Sequence, residues 1–365
     1  MIPADWQNVL VVQTSFLGDS VLTLPLLSEI KRRYPAGKLT LLCAPVAAEL
    51  LKSLQMIDEV IVDDKRGQDA GILGLWRKAQ ILKQKKFTLA ISPHKSLRSA
   101  LLLFLARIPR RAGFRQSKGA FLFHALADRD PLRHDVERNL SILEALGVST
   151  EMCRRDIDLA VPDAAREQSR QLLEANGVDL SKTVIGINAG SVWPTKRWSP
   201  DLFAQLIGRL KQGVDCEIVL FGGPGDHQTV AQIQALCGTD VANLCGKTAL
   251  QDLPAAVSAC DLFITNDSGP MHIAAACGVP VVAIFCATTP SLGFYPYSSK
   301  AVVVQKDLHC RPCSSHGGRR CPLGTEDCIK LIRPEHVLQA VMQILRVKDR
   351  LPPGSSTHEP QYLTL

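Results

Sequence analysis

The chain has 365 residues, 46% of them hydrophobic and 21% charged, which is typical of a soluble globular protein large enough for two domains. The formal net charge of +7 favours an anionic partner without requiring nucleic acid. The longest apolar runs, at residues 100–105 and 279–287, are far shorter than the roughly 20 residues needed to cross a bilayer. No signal-peptide pattern precedes the first predicted strand, so we expect a cytoplasmic protein.

In the first half of the chain, short apolar strands alternate with helical segments. This pattern predicts a parallel, doubly wound sheet. The predicted strands are residues 9–12, 39–43, 60–62 and 88–92. The predicted helices are residues 19–33, 72–84, 96–107 and 135–146.

The second half repeats the same alternation. Strands are predicted at 184–188, 217–221, 261–265 and 279–285, with helices at 164–176, 201–211, 226–236 and 334–347. The fold class is therefore α/β, with two Rossmann-like domains at residues 1–160 and 161–350, facing across a cleft in which ligands bind. The last helix is a candidate to pack back on the first domain. The tail, 351–365, is rich in Pro, Gly, Ser and Thr and is predicted to be disordered.

The most informative segment is residues 266–272 (NDSGPMH), which lies between two apolar strands. A strand that ends in a glycine-containing turn and opens a helix leaves backbone N–H groups unpaired. Together with the helix dipole, these groups make a seat for phosphate. Gly269 permits close approach of an anion, Ser268 adds a donor and His272 lies one turn further on. The alternative is an ordinary turn in which Asp267 or Ser268 caps the helix.

A second turn of this kind contains Gly18 and Asp19 after the first strand. Gly18 stands alone, so the dinucleotide fingerprint with three glycines is missing. An acidic residue at this helix start would repel a diphosphate, and Asp19 is therefore better suited to proton transfer. Simple N-capping by Asp19 is the alternative.

Three further polar residues follow strands of the second half. Lys196 and Arg197 are expected at the same sheet edge as Asp267, where two cations would clamp a diphosphate. Asp226 follows a glycine-rich turn and could accept a hydrogen bond from a ribose hydroxyl. A solvated Lys-Arg pair and a turn-forming aspartate are the alternatives.

Residues 93–119 contain seven basic residues and no acidic one, which indicates an interaction surface. Nucleic acid is a weak candidate partner because no aromatic residues are interleaved with the basic ones. His134 and Arg138 extend this surface. The residues proposed to bind an anionic acceptor are Arg107, Arg110, Arg111, Arg115, His134 and Arg138.

Four of the twelve cysteines are clustered: Cys310, Cys313, Cys321 and Cys328. In a cytosolic protein such a cluster suggests a metal clip more than disulfides. The spacing only loosely resembles a zinc site, and a tethered loop without metal is the alternative.

The combined motifs resemble glycosyltransferase family 9, the ADP-heptose:lipopolysaccharide heptosyltransferases. The resemblance covers residues 8–345 in the family's order, and the Cys-Pro-Leu-Gly stretch is most similar to the heptosyltransferase II branch. It is carried by residues 266–272, Gly18-Asp19 with residues 23–25, Lys196-Arg197-Trp198, and the cysteine cluster.

This resemblance implies a GT-B fold and an inverting, metal-independent transfer of heptose from ADP-heptose to the lipopolysaccharide inner core. By position, Asp19 matches the catalytic base and Lys196 the contact to the donor diphosphate. The donor-binding residues are implied to be Lys196, Asp226, Asp267, Ser268, Gly269 and His272. The anionic acceptor at the inner membrane surface would explain the basic segment, with the enzyme cytoplasmic or peripheral on that membrane.

Three alternatives stay open at this level. They are a transferase of the same family with another nucleotide-sugar donor, a non-catalytic sugar-binding protein, and a Rossmann oxidoreductase. The missing glycine fingerprint disfavours the oxidoreductase, and the missing signal peptide disfavours the binding protein. No cofactor is required for the expected transfer, with structural zinc as an option at the cysteines.

Overall fold

The computed structural model describes residues 4–347 and 358–365, which form two compact units, Met1–Asp158 and Leu159–Leu365. The division lies two residues before the boundary expected from the sequence. Each unit contains one sheet with helices packed on it, and every strand pairing described is parallel. In each sheet, the polar turns that follow the strands therefore meet at one edge, the carboxyl edge.

The first sheet has the order β3-β2-β1-β4-β5-β6. Leu10, Val12, Leu42 and Ala90 belong to the core on one side of it. Its strands are β1 (Asn8–Gln13), β2 (Lys38–Cys43), β3 (Glu59–Val62), β4 (Leu89–Ser92), β5 (Arg110–Phe114) and β6 (Ala125–Ala127). The sequence pattern did not predict β5 and β6, which are short and lie in or beside the basic segment.

The helices of the first unit follow the predicted alternation with one interruption. The helix predicted at 19–33 is divided into α1 and α2, because Pro25 has no N–H and its ring would clash with the carbonyl of Val21. The helices are α1 (Leu17–Val21), α2 (Leu24–Arg33), α3 (Pro45–Leu51), α4 (Gly71–Gln84), α5 (Leu97–Leu105) and α6 (Asp135–Glu144).

The second sheet has the order β13-β12-β11-β10-β7-β8-β9. Its strands are β7 (Thr183–Asn188), β8 (Cys216–Phe221), β9 (Ala242–Asn243), β10 (Leu262–Asn266), β11 (Val281–Phe285), β12 (Ala301–Gln305) and β13 (Gln361–Thr364). The central strands β10 and β11 are buried along their whole length. This burial explains why they appear in the sequence as continuous apolar runs.

The helices of the second unit cover both faces of this sheet. The last long helix, α13, packs on α8 and on the strands β11 and β12, and its Val337, Ala340 and Val341 belong to the core of this unit. The helices are α7 (Asp163–Ala175), α8 (Pro200–Gly213), α9 (His227–Cys237), α10 (Leu253–Ser258), α11 (Gly269–Ala276), α12 (Asp327–Lys330) and α13 (Pro334–Val347). No helix in the described ranges is long and apolar enough to cross a membrane.

The tail differs from the expectation of disorder. Residues 361–364 form β13, which pairs in parallel with β12 from Val302↔Gln361 to Gln305↔Thr364. Leu363 and Leu365 also pack against the core of the second unit. The prediction is therefore wrong for these residues, because β12 would otherwise present an unpaired edge that an extended segment can cover. Residues 351–357 lie outside the described part of the chain.

Candidate active site

In the second unit, the polar residues predicted to bind a donor follow strands at the carboxyl edge. Lys196 lies in a 3-10 helix, Pro194–Lys196, after β7, and Asp226 ends another, Pro224–Asp226, after β8. Asp267 and Ser268 connect β10 to α11. The topology therefore brings these loops together, because β10, β7 and β8 are neighbours in the sheet.

The Asp267 carboxylate is the centre of this group. Its Oδ2 lies 2.6 Å from Lys196 Nζ and accepts a hydrogen bond of 2.6 Å from Thr288 Oγ1. Asp267 is buried and Lys196 is partly exposed. A lysine ammonium has three donors, so a lysine held by one carboxylate can still bind a second anion. Sequence reasoning missed Thr288, although it follows the predicted strand 279–285 at the same edge.

Asn266 positions the segment that carries Lys196. Its Oδ1 accepts from the Trp198 backbone N–H at 3.0 Å, and its Nδ2 donates to the Ala189 carbonyl at 2.7 Å. The buried Trp198 indole donates to the Ile332 carbonyl at 2.7 Å. Asn266 thus connects the end of β10 to Ala189 and Trp198, and the Trp198 indole connects the same segment to Ile332.

The start of α11 is formed by Ser268, Gly269 and His272. Ser268 is the N-cap residue, and its Oγ lies 3.4 Å from Thr265 Oγ1. Burial lowers the pKa of His272 to about 4, so its imidazole is neutral at physiological pH. The His272 Nδ1 has no hydrogen-bond partner within the described residues. The turn predicted from the sequence is therefore present as a strand-to-helix junction with a neutral histidine beneath it.

Asp226 lies against Gly190, at which an added Cβ would come within 2.5 Å of the Asp226 carboxylate. Its Oδ2 accepts from the Gly223 backbone N–H at 3.0 Å. Asp226 therefore has the turn-forming role that the sequence left as an alternative. This carboxylate also lies close to the loop that follows β7.

The cysteine-containing loop packs on the Lys196 segment. The Gly318 N–H donates to Thr195 Oγ1 at 2.8 Å, and a Cβ at Gly317 would come within 2.8 Å of Lys196 Cγ. Gly317 has a φ of +81°, which favours glycine. All four cysteines of the cluster are free thiols. Among residues 4–347 and 358–365, no three His, Cys, Asp or Glu side chains are arranged to hold a metal ion.

In the first unit, Asp19 lies in α1, just after the carboxyl end of β1, and is half-buried. Its Oδ2 accepts from the Phe16 backbone N–H at 3.0 Å. Desolvation and the nearby Asp135 carboxylate raise the pKa of Asp19 to about 6, against the opposing hydrogen bonds from Ser15 and Phe16. The N-cap residue of α1 is Phe16, so Asp19 is not the N-cap that the alternative had. From the third helical position it accepts the N-cap N–H, and it is also a carboxylate adapted to accept a proton near neutral pH.

Two lysines and an arginine act electrostatically around Asp19. The pKa of Lys65 and that of Lys95 are lowered chiefly by burial, and both lysines interact with the Asp19 charge. The Arg129 charge also acts on Asp19, while its guanidinium pairs with Asp135. Sequence reasoning did not select Lys65, Arg129 or Asp135. Lys65 could have been selected from its position, because it closely follows the predicted strand 60–62.

His134 and Arg138 have structural partners near this site. His134 is the N-cap of α6 and accepts from the Val136 N–H at 3.2 Å. Arg138 is buried and donates to the carbonyls of Asp130, at 2.8 Å, and Pro131, at 2.6 Å. Both therefore shape the loop that carries Arg129 and Asp135, and the Arg138 side chain is not part of an exposed basic surface.

The remaining predicted acceptor residues do not lie together. Arg107 follows α5, and Arg110 begins β5 opposite Leu89, so both lie at the amino edge of the sheet. Arg111 donates to the Leu122 carbonyl at 2.8 Å and lies over the Phe104 ring at 5.7 Å. Arg115 alone follows the carboxyl end of β5, where it pairs with Asp128 at 3.1 Å. The expectation of one continuous basic surface is wrong here, because β5 separates its members to opposite sheet edges.

Two Rossmann-like units, each with one parallel sheet, are the architecture of the GT-B class of glycosyltransferases. A solved structure described as a glycosyl transferase family 9 protein from Veillonella parvula matches with a TM-score of 0.82 and 27% identity, over 94% of this chain and 99% of that one. The family model for glycosyltransferase family 9 (heptosyltransferase) matches residues 75–322, more than half of the chain. The chain therefore belongs to this family and is a glycosyltransferase.

Two further proteins define the similarity more closely. Lipooligosaccharide heptosyltransferase 2 of Campylobacter jejuni is 28% identical over 340 residues, which is 91% of this chain and 96% of the relative. The structure of E. coli ADP-heptose lps heptosyltransferase II has a TM-score of 0.76 at 24% identity, covering 94% of this chain and 99% of that one. The predicted family and fold are confirmed.

Proposed function

We propose that this enzyme transfers heptose from ADP-heptose to the inner core of lipopolysaccharide or lipooligosaccharide, with inversion at the anomeric carbon. The single observation that carries the proposal is the half-buried Asp19 carboxylate, whose pKa of about 6 suits a general base. The substrates are supported by the descriptions of two relatives, one a lipooligosaccharide heptosyltransferase and one an ADP-heptose lps heptosyltransferase.

In the proposed step, Asp19 accepts the proton of an acceptor sugar hydroxyl. The hydroxyl oxygen forms a bond to the anomeric carbon of the donor while the bond from that carbon to the diphosphate breaks. The electron pair of the broken bond leaves with ADP. At neutral pH, Asp19 is mostly ionised, because its pKa lies about one unit below the solution pH, and it is ready to take the proton.

The leaving diphosphate gains negative charge as its bond to the sugar breaks. Lys196 and the N-terminus of α11, with Ser268 and Gly269, are proposed to stabilise that charge. Asp267 holds Lys196 in place and is proposed to accept hydrogen bonds from the donor sugar, with the neutral His272 beneath the turn. Asp226 is the proposed contact of the adenosine ribose.

The acceptor is proposed to bind through its anionic groups to Lys65, Lys95 and Arg129, which surround Asp19. Arg115, at the same edge, extends this set, while His134 and Arg138 position the loop of Arg129. This assignment replaces Arg107, Arg110 and Arg111, which lie at the opposite edge. Because such an acceptor is lipid-anchored, the enzyme is proposed to work in the cytoplasm at the inner membrane surface.

No metal is proposed in the transfer step, since Lys196 and the α11 N-terminus supply the positive charge. Structural zinc at the cysteine cluster is a separate question. It is decided by measuring the zinc content and thermal stability of the purified protein before and after treatment with a chelator.

The test is incubation of the purified enzyme with ADP-heptose and a series of truncated core acceptors, with the product identified by mass. One heptose added to one acceptor is the expected result. Turnover of another nucleotide sugar with no use of ADP-heptose would overturn the proposed donor. Binding of a nicotinamide cofactor without sugar transfer would favour the oxidoreductase alternative instead.

A further inference from the structure

Helix α4 presents apolar side chains to solvent on the face that should be polar. Ile72 is 84% exposed, Leu73 79% and Trp76 55%. Their spacing of one and four residues places them on one side of the helix. The side of the helix turned away from these residues, formed by Gly74, Lys78 and Leu82, is already buried. A surface helix normally carries charges on its outward face, so this apolar ridge (Ile72, Leu73 and Trp76) requires a partner.

The chain around this ridge is strongly basic. Residues 70–127 contain no Asp or Glu and twelve Lys and Arg. Those at the same sheet edge as the ridge are Arg77, Lys78, Lys95, Arg98, Arg115 and Lys118.

Two of the three acidic residues just before the ridge are paired with a cation. Asp63 pairs with Arg98 at 2.9 Å, and Asp69 pairs with Lys78 at 3.0 Å. Asp64 accepts from the Gly67 N–H at 3.0 Å. Residues 63–78 together with Arg98 include five basic and three acidic residues, so the net charge beside the ridge is positive and complementary to an anionic surface.

The ridge lies at the carboxyl edge of the first sheet, as Asp19 does. Arg98, at the start of α5, donates to the carbonyls of Asp69, at 2.8 Å, and Gly71, at 3.4 Å, and so ties the start of α4 to the start of α5. Lys95, which acts on Asp19, precedes α5, and the Lys118 N–H donates to its carbonyl at 3.2 Å. Lys95 and Lys118 therefore lie at the same sheet edge as the ridge and the proposed catalytic base.

We propose that the apolar ridge inserts into the interfacial region of an anionic bilayer, with the surrounding Lys and Arg contacting lipid headgroups. Apolar side chains flanked by basic ones are the combination that holds a protein on such a surface. The attachment would hold the edge that contains Asp19 where a lipid-anchored acceptor presents its sugars. Only this last link rests on the proposed function.

Co-sedimentation of the full chain with phosphatidylcholine vesicles, with and without phosphatidylglycerol, tests the attachment in the absence of any substrate. Binding is expected only with the anionic lipid and should weaken with salt. The double variant Ile72→Ser with Leu73→Ser should weaken it at least about tenfold, because two large apolar side chains no longer enter the interface. The matched control is Leu132→Ser with Met152→Ser, whose parent residues are 92% and 83% exposed.

Three results would overturn the attachment. They are equal binding by the ridge variant and the wild type, equal loss in the control variant, and conversion of a dimer to a monomer by the ridge substitutions. Trp76 gives a direct signal: its emission should shift to the blue and be quenched by brominated phospholipid, and Trp76→Phe should remove both effects. No lipid-dependent change in emission would also count against insertion.

Activity distinguishes failure of this inference from failure of the proposed reaction. With a water-soluble acceptor stripped of its acyl chains, the ridge variant should turn over at the wild-type rate. With acceptor embedded in vesicles, the turnover rate of the ridge variant should fall in proportion to its weaker binding to the vesicles. Vesicle binding without heptose transfer would leave the attachment standing and overturn the reaction.

Discussion

Two strand-to-helix turns, one in each unit, place an aspartate at the carboxyl edge of a parallel sheet. The Asp267 carboxylate meets Lys196 and Thr288, each at 2.6 Å. The Asp19 carboxylate meets one backbone N–H and, close by, a second carboxylate, Asp135. The same kind of turn thus has two electrostatic environments. Asp267 is an ion-paired carboxylate that positions a lysine, whereas Asp19 is a carboxylate with a raised proton affinity.

The electrostatic environment of each aspartate is determined by residues far away in sequence. Lys196 comes from the loop after β7, and Asp135 from the start of α6. An opposite charge stabilises the ionised form of a carboxylate, whereas burial and a like charge favour its protonated form. We therefore expect substitutions at the two turns to affect different steps, base catalysis at Asp19 and donor binding at Lys196.

The largest effect is expected for Asp19→Asn. The turnover rate should fall by about 10²–10⁴-fold, because an amide cannot accept the hydroxyl proton. Calorimetry should show unchanged ADP binding, since the nucleotide is proposed to bind the second unit. Asp128→Asn, at an exposed position of the same unit, is the matched control. Near-wild-type turnover at saturating acceptor would limit the role of Asp19 to its hydrogen bond with the N-cap residue of α1.

The same variant should also change the pH dependence of stability. The folded-state pKa of Asp19, about 6, lies above the ordinary aspartate pKa of 3.8, so the folded protein binds more protons than the unfolded one between these values. Its contribution to stability is therefore lost as pH rises through that window. Asp19→Asn should remove this loss and melt no lower than the wild type at pH 7.

Lys196→Ala is expected to weaken ADP-heptose binding by roughly 10–150-fold, corresponding to about 1.5–3 kcal/mol for charge-assisted hydrogen bonds. The melting temperature should fall too, because buried Asp267 loses its cation. Lys182→Ala, at a partly exposed, ion-paired lysine just before β7, is the control for loss of a charge outside the site. Unchanged donor affinity at matched salt would remove Lys196 from the site.

A smaller effect is expected for substitution of a residue that is proposed to bind the acceptor. Lys95→Gln should raise the acceptor KM by up to about fivefold, as exposed ion pairs contribute roughly 0.2–1 kcal/mol, and the effect should shrink with added salt. Arg110→Gln should leave the acceptor KM unchanged, since Arg110 begins β5 at the amino edge. If steady-state kinetics instead showed a raised acceptor KM for Arg110→Gln and an unchanged one for Lys95→Gln, the amino-edge arginines would be the acceptor surface.

The smallest effect is a shift of the pH profile in Asp135→Asn. The proposed base works when ionised, so wild-type kcat/KM should fall as pH drops through about 6. Removing the like charge of Asp135 should lower the pKa of Asp19 and move this acidic limb to lower pH, with little change at pH 8. An unmoved limb would mean that another group controls it.

The sequence alone was sufficient for the alternation of strands and helices and for the family. It was also sufficient to place Asp19, Lys196 and Asp267 at strand ends. Local signals carry this information: apolar runs mark buried strands, and glycine-containing turns mark their ends. Because the carboxyl ends of parallel strands share one edge, the turn positions could be inferred without the strand order.

The tertiary structure alone decided which side chains meet at those edges. Arg110 and Arg115 are five positions apart in sequence but lie at opposite ends of β5, and Lys196 meets Asp267 across 71 positions. The tail strand pairs with β12 across almost sixty positions. Strand order and register arise from packing of the whole sheet, and they also determine burial and neighbouring charges. The raised pKa of Asp19 and the exposed apolar ridge on α4 therefore became visible only in the folded molecule.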